Sequence, residues 1–330
     1  MLDGFGLEFL ERHRDHPLVR RLDVTPLTTQ FPSTTTAHLT TLHFGLPVAQ
    51  HGLYEWNIFE PALGEIICPL RFTRAASRIE GELAGELDPG ALAPGPTMYE
   101  QLDAPTLVMH PEWIVGSSFT RLATRGAEVA GFATLPEGVA ALADRLDRPT
   151  APAYALLYWD LIDRTGHEHG PSSPEFHAAG RAALDAVWDG CERLRGCTVL
   201  FTADHGQVDV SPERVDYLDV VWPQLPELLS QPRPAGSSRD VFLHVADGRI
   251  PEVIEGLAAR LGARAEVHPA ADLFPDAGPR LRARLGDVAV LPAAGRQAWL
   301  HAAAANERWW RGQHGGRSPA ETATYLAELR

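Results

Sequence analysis

Aspartate and histidine residues recur in three short segments of this 330-residue chain, and glycine lies beside or within each. Asp163 and His167 are four residues apart, Asp204 and His205 are adjacent, and His314 lies between glycines. Carboxylates and imidazoles are the ligands that zinc and similar divalent cations take in proteins. The recurrence predicts a metal site, although each segment alone is also typical of a polar surface loop or of a hydrogen-bonded Asp–His pair.

A run of threonines provides a candidate nucleophile. Thr34, Thr35 and Thr36 precede a helix-like stretch. A hydroxyl at a helix N-terminus lies near the positive end of the helix dipole, and a neighbouring cation would lower its pKa and activate it. Capping of the helix by Ser33 or Thr34 is the alternative role, and it is compatible with catalysis by a neighbour.

Buried strands precede two of these segments. The apolar runs 154–160 and 197–204 predict strands, with weaker candidates at 105–110 and 287–292, and a 3.6-residue period predicts a helix over 174–195. Ser172 with Glu175 forms a candidate capping box for that helix. The alternation predicts an α/β fold, with a mostly parallel central sheet between helices and ligands bound at the carboxyl ends of its strands.

Two stretches are predicted to be additions to this core. Residues 58–104 are rich in loop signals, including the glycine- and proline-rich segment 88–96, and form a cap segment. Residues 211–300 return to mixed strand and helix patterns and form a smaller inserted α+β lobe. Residues 1–210 and 301–330 then make up the catalytic core.

Composition excludes several classes of function. A formal net charge of -14 disfavours binding of nucleic-acid polymers, although metal ions could still reverse the field in a cleft. No apolar run is long enough to predict a membrane span. The three cysteines have no paired spacing, so we expect no disulfide framework, core positions for Cys191 and Cys197, and a cytoplasmic location.

Taken together, the segments resemble the type I phosphodiesterase/nucleotide pyrophosphatase family of the alkaline-phosphatase superfamily. The resemblance extends from Asp3 to His314 and is strongest at 163–167, 203–206 and 314–316. It implies an alkaline-phosphatase-like fold and a metal-dependent phosphoric ester hydrolase. The implied substrate is a small phosphorylated compound, with nucleotides among the candidates, cleaved at a phosphodiester or pyrophosphate bond.

The same resemblance implies the roles of individual residues. Thr35 would be the nucleophile that forms a phosphothreonine, with Thr34 and Thr36 as open alternatives, and Asn57 would hydrogen-bond a phosphoryl oxygen. Two divalent ions are implied, with zinc expected and manganese or iron left open. One ion would be held by Asp163, His167 and His314, and the other by Asp3, Asp204 and His205.

Three alternatives compete with this interpretation. A phosphate-monoester or phosphonate hydrolase could use the same scaffold. The alternative without catalytic activity is a degenerate, metal-poor relic. A sulfatase is disfavoured because Cys68 lacks the setting in which such enzymes place their modified residue. In the middle segment His110, Trp113 and Arg121 are candidate lid residues, for which structural roles are favoured.

The N-terminus departs from the family pattern. Only Met1 and Leu2 precede Asp3, whereas a strand usually has about five residues. We hypothesise that the natural protein begins upstream with an apolar run that ends at Asp3. In the sequence as it stands, Asp3 is expected to fray and to weaken the second metal site.

Overall fold

The computed structural model describes residues 1–194, 196–303 and 309–330. Within these ranges no helix is both long enough and apolar enough to cross a bilayer. The α-helices are α1 Leu7–Arg12, α2 Thr35–Phe44, α3 Val48–His51, α4 Met98–Gln101, α5 Glu112–Val115, α6 Ser118–Ala123, α7 Leu135–Leu146, α8 Leu161–His169, α9 Pro174–Gly190, α10 Leu218–Val221, α11 Ile250–Leu261, α12 Pro279–Arg282 and α13 Pro319–Thr322.

The strands are short, and several lie in the segments that the apolar runs predict. They are β1 Leu22–Thr28, β2 Ile58–Glu60, β3 Glu65–Cys68, β4 Thr73–Arg74, β5 Thr106–Pro111, β6 Glu128–Phe132, β7 Tyr154–Leu157, β8 Leu200–Thr202, β9 Val208–Asp209, β10 Val215–Tyr217, β11 Ala235–Ser237, β12 Asp240–Leu243, β13 Ala265–Pro269, β14 Val288–Pro292, β15 Gln297–Trp299, β16 Gly312–Gln313 and β17 Ala323–Leu329.

Two three-stranded sheets meet at residues 1–3, which we call the bridging segment. One has β5 between β6 and β7, all parallel, and the other has β17 between β1 and β8, all antiparallel. Leu2 forms a parallel bridge with Trp159 after β7, and its N–H donates to the carbonyl of Thr202 in β8, 3.0 Å away. The predicted mostly parallel sheet is therefore not confirmed, because β17 pairs antiparallel with both β1 and β8.

Asp3 is fixed in place by this bridging segment. Its backbone N–H donates to the carbonyl of Trp159 at 2.9 Å, and its side chain is buried. The Met1 ammonium group donates to the carbonyl of Leu157 at 2.8 Å. The expectation that Asp3 frays is therefore wrong, because both neighbouring sheets hold the residues around it.

The predicted long helix is present with different ends. Helix α9 ends at Gly190, and a 3₁₀ turn, Cys191–Leu194, follows; residue 195 of the prediction lies outside the described residues. The N-cap is Ser173, which accepts from the N–H of Phe176, rather than the predicted Ser172. Cys191 is buried as expected, but Cys197 is exposed because β8 begins only at Leu200.

Residues 211–300 contain a sheet of their own. Strands β11, β12, β14 and β13 pair in that order, and all lie within this segment. Helix α11 covers the sheet and buries Val253 and Leu257 against Val288 and Val290. Residues 58–104 carry the antiparallel sheet β2–β3–β4 and short helical turns. The division into core, cap and inserted lobe stays a prediction.

Candidate metal centre

The candidate ligands gather where strands of both sheets end. Asp3 ends the bridging segment, while Asp204 and His205 lie two and three residues after the end of β8. Asp163 lies on α8, which begins four residues after the end of β7. Side chains that follow neighbouring strands are brought to one edge of a sheet, which is where ligands bind in open α/β folds.

Asp163 and His167 lie on a helix rather than in a loop. On α8 the spacing of four residues places them on one face, and His167 Nε2 lies 3.2 Å from Asp163 Oδ2. Gly166 between them is needed for close packing, because a Cβ there would lie 2.0 Å from Gln207 Oε1. The glycine therefore serves packing rather than a turn.

The three candidate histidines all present the Nε2 atom to the centre. Their Nδ1 atoms lie 2.9–3.0 Å from backbone carbonyls: Gly312 for His167, Gly206 for His205, and Ser33 for His314. A carbonyl can only accept, so each Nδ1 carries a proton, and Nε2 is the atom that a neutral ring offers to a metal. This backbone bonding fixes the tautomer and the ring orientation, as is usual for metal-ligating histidines.

Ligand atoms converge in two groups that share His205. Asp163, His205 and His314 form one group, and Asp3, Asp204 and His205 form the other, each with its ligand atoms within 4.8 Å of one another. The structure thus brings together the six predicted ligands. His167 is not a member of the first group, but its Nε2 contacts Asp163 Oδ2, which is. His205 faces both groups rather than the second alone.

The buried carboxylates make this cluster a fitting place for cations. Burial raises the pKa of Asp3 well above its usual range, and the charges of Asp204 and Asp163 raise it further. Asp204 Oδ2 is buried and has no hydrogen-bond donor among the described residues. Burial also raises the pKa of Asp163, but the nearby histidines, above all His167, outweigh burial and hold that pKa below the usual range. Positive charge would relieve this repulsion, so the donor set suits divalent metals.

Thr35 is the threonine that faces the cluster. It is the first residue of α2, and its Oγ1 lies 3.2 Å from His205 Nε2 and 3.5 Å from Asp3 Oδ1. Thr34 is instead the N-cap, whose hydroxyl accepts from the N–H of Ala37. The geometry therefore favours Thr35 over Thr34 as the nucleophile candidate.

Asn57 is held beside the same centre by the inserted segment. Its Nδ2 donates to the carbonyl of Gly236 at 3.1 Å, and the backbones of the two residues also form a bridge. Because an amide nitrogen carries two hydrogens, one remains for another acceptor. Asn57 lines the cavity that Thr35 also lines.

Sequence reasoning missed three groups that support the ligands. The Tyr158 hydroxyl donates to Asp3 Oδ2, and the Gln207 amide donates to Asp163. The N–H of Gly4 donates to Asp204 Oδ1 at 3.2 Å. Of these, only Gln207 had a sequence signal, since it directly follows the segment 204–206.

A cavity of about 360 Å³ opens onto this centre. Its walls include three tryptophans, and it also contains two of the candidate lid residues, His110 and Trp113. The third candidate, Arg121, is not among the lining residues; it lies on α6, and its guanidinium donates to the carbonyl of Gly116, which follows α5. The tryptophans are Trp56, Trp113 and Trp310.

Buried acidic and imidazole ligands, a threonine at a helix N-terminus and an adjoining cavity together define a metal-centred site with a nucleophile candidate. The chain belongs to the type I phosphodiesterase/nucleotide pyrophosphatase family, whose model matches residues 1–317. This confirms the predicted family.

Individual relatives are distant in sequence. An uncharacterized pyrophosphatase/phosphodiesterase of Schizosaccharomyces pombe is 25% identical over 233 residues, which are 66% of this chain and 46% of that protein. This chain therefore spans less than half the length of that curated relative.

Solved structures confirm the alkaline-phosphatase-like fold. Murine ectonucleotide pyrophosphatase/phosphodiesterase 5 matches with a TM-score of 0.73 at 16% identity, over 99% of this chain and 86% of that one. An inactive variant of the murine protein has been solved in complex with AMP. Phosphonoacetate hydrolase from Sinorhizobium meliloti 1021, in complex with phosphonoformate, matches with a TM-score of 0.71 at 17% identity, over 100% of this chain and 88% of that one.

Proposed function

We propose that this protein is a metal-dependent phosphodiesterase or pyrophosphatase that uses Thr35 as its nucleophile. The observation that carries the proposal is the position of Thr35 Oγ1, within 3.5 Å of both Asp3 and His205 at the junction of the two ligand groups. Family membership supports the reaction class.

The ligand set fits two divalent cations, with zinc the expected metal and manganese or iron open. Asp163, His205 and His314 would hold one, and Asp3, Asp204 and His205 face the other, with His167 adding a ligand to the first. When bound, such ions supply Lewis-acid stabilisation of negative charge on the nucleophile and on the phosphoryl group.

The residues of this chain then perform two displacements. Thr35 Oγ1 attacks phosphorus, the bond between phosphorus and the leaving oxygen breaks, and a phosphothreonine forms. The free hydrogen of the Asn57 amide donates to a phosphoryl oxygen during this step. Water then attacks the same phosphorus atom and restores the Thr35 hydroxyl.

The substrate we propose is a small phosphorylated compound. Thr35 lies inside a bounded cavity rather than on an open surface, and the acidic chain disfavours polymeric nucleic acids. The AMP complex of the murine structure supports a nucleotide-like compound as one candidate. The fold likeness to a phosphonate hydrolase keeps phosphonoacetate as the comparison substrate.

The test is hydrolysis of bis(4-nitrophenyl) phosphate, 4-nitrophenyl phosphate and phosphonoacetate by metal-loaded protein. We expect the diester to be preferred, Thr35→Ala to abolish its turnover, and Thr35→Ser to retain a measurable part because it keeps a hydroxyl. Thr40→Ala is the matched control on the same helix, since its hydroxyl donates to the carbonyl of Thr36 within that helix. Preference for the monoester or the phosphonate would overturn the substrate class, and full activity of Thr35→Ala would overturn the nucleophile.

A further inference from the structure

His110 is a buried imidazole on the cavity wall with both ring nitrogens unbonded. It lies near the end of β5 and is only 3% exposed. Neither Nδ1 nor Nε2 has a hydrogen-bond partner among the described residues. Leaving buried polar atoms unpaired costs folding free energy, and native proteins seldom retain such groups without a function.

The ring lies one side chain away from the ligand cluster. Its centroid is 5.5 Å from that of Tyr158, whose hydroxyl donates to Asp3. On the other side it is 6.1 Å from the ring of His43 on α2. The α2 side of the cavity is defined here as the lining residues Thr36, Leu39, His43, His110 and Tyr158.

Thr36 is a second unpaired group on the α2 side of the cavity. Its Oγ1 is buried and has no partner among the described residues. It directly follows Thr35, so a group bound there would be close to the phosphorus under attack. Leu39 lies between Thr36 and His43 along α2, so this wall combines apolar and unpaired polar side chains. The unpaired atoms of His110 and Thr36 are covered by protein, so both side chains must rotate toward the cavity to hydrogen-bond a bound group.

The α2 side of the cavity offers no cation for a second phosphoryl group. Burial lowers the pKa of His110 to about 4 and that of His43 to about 3, so both are neutral near pH 7. Two arginines line other parts of the cavity, and both are paired: Arg71 with Glu80, and Arg164 with Asp160. Burying an anion beside neutral groups is unfavourable, so the α2 side suits an uncharged group.

We propose that His110 is a specificity-determining residue that hydrogen-bonds the neutral organic group of the bound ester on the α2 side of the cavity. A neutral imidazole has one donor and one acceptor, so it favours a group that carries both kinds of atom. Thr36 supplies a further hydrogen bond to the same group. This inference rests on the proposed function, because it places the organic group relative to Thr35.

The test compares two diesters with the same 4-nitrophenolate leaving group. One is the 4-nitrophenyl ester of a nucleoside 5′-phosphate, whose ring hydrogen-bonds, and the other is 4-nitrophenyl phenyl phosphate, whose ring does not. His110→Phe keeps a flat ring without nitrogens. We expect it to lower kcat/KM for the nucleoside ester about tenfold, mainly through KM, and to leave the phenyl ester unchanged. His110→Gln is expected to recover part of the loss.

Thermal unfolding separates this role from a structural one. Because His110→Phe removes unpaired buried nitrogens, it is expected to leave the unfolding midpoint unchanged or to raise it. His51→Phe is the matched control: its ring is also buried, but it bonds Thr41 and the N–H of Leu53, so the substitution is expected to lower the midpoint. A lowered midpoint for His110→Phe, with equal losses on both esters, would overturn the proposal.

Failure of the proposed function would be seen separately. If wild-type protein hydrolyses neither ester, the phosphodiesterase assignment fails. Calorimetry with a nucleoside 5′-phosphate and with phenyl phosphate then decides the role of His110 by binding alone. We expect His110→Phe to weaken only the nucleoside compound, and an unchanged ratio of the two Kd values would refute the assignment.

Discussion

The imidazole rings of His205 and His314 are stacked, with centroids 3.7 Å apart and planes 14° from parallel. Positive charges on both rings would repel each other at this distance. Burial lowers the pKa of His314 well below its usual range, and the nearby His205 lowers it further. His314 therefore presents a neutral Nε2, the form that binds metals.

This arrangement predicts different metal losses for two histidine variants. His205 faces both ligand groups, whereas His167 reaches one group through Asp163. We expect about two metal ions per chain for the wild type, about one for His167→Ala, and close to none for His205→Ala. Elemental analysis of purified protein measures the ratio.

The control for metal content is Asp15→Asn, since the Asp15 side chain is 91% exposed and is not one of the candidate ligands. It is expected to bind as much metal as the wild type. Equal losses for His167→Ala and His205→Ala would contradict the shared position of His205.

The carboxyl pair Glu55–Asp240 predicts a stability that falls with rising pH. Burial raises the pKa of Glu55 to about 8, and burial and the Glu55 charge raise that of Asp240. Folded Glu55 thus keeps its proton to about pH 8, whereas unfolded glutamate loses it near pH 4.5. Between these values the folded state binds more protons, so the free energy of unfolding falls by up to about 1.4 kcal/mol per pH unit for one proton.

Glu55→Gln mimics the protonated carboxyl and is expected to flatten this slope. Denaturant unfolding of metal-loaded protein between pH 5 and pH 8 measures it. Glu175→Gln, at an exposed position in the first turn of α9, should keep the wild-type slope. A slope that survives Glu55→Gln would mean that other groups cause the pH dependence.

A buried ion pair supports the loop that carries His314. Arg239 Nε lies 2.9 Å from Glu321 Oε1, and Glu321 also accepts from the N–H of Gly316 at 2.9 Å. Arg239→Met would leave the buried Glu321 carboxylate without its opposite charge, so we expect a loss of about 3–5 kcal/mol in the free energy of unfolding, with weaker metal binding.

The exposed pair Arg249–Glu252 provides the comparison for that loss. Arg249→Met is expected to change the free energy of unfolding by less than about 0.5 kcal/mol, because exposed pairs contribute little. Urea titration of both variants measures the difference, and similar effects would refute the supporting role of Arg239.

Much of the site could be predicted because its ligands lie in short local segments. Asp204 and His205 follow a strand that the apolar run 197–204 predicts, and glycine marks the close packing around them. Gly315 illustrates this: its φ is +117°, and a Cβ there would lie 2.8 Å from Asp240 Oδ1. Local patterns therefore identified the family and the segments that carry the candidate ligands.

Contacts between distant segments could not be predicted in the same way. His205 faces both ligand groups because three separate segments converge on it, and no local spacing encodes that convergence. The pairing of Asn57 with Gly236 and the donation from Tyr158 to Asp3 are likewise long-range. The antiparallel sheet β1–β17–β8 was missed because its central strand, β17, comes from the C-terminal end of the chain.

The most direct test of the account is to trap the covalent intermediate on Thr35. Metal-loaded protein would be mixed with bis(4-nitrophenyl) phosphate, acid-quenched within milliseconds and digested for peptide mass spectrometry. The account predicts a 4-nitrophenylphosphoryl group on Thr35 that is absent from Thr35→Ala. Release of 4-nitrophenolate without modification of Thr35, or modification of Thr34 or Thr36 instead, would contradict it.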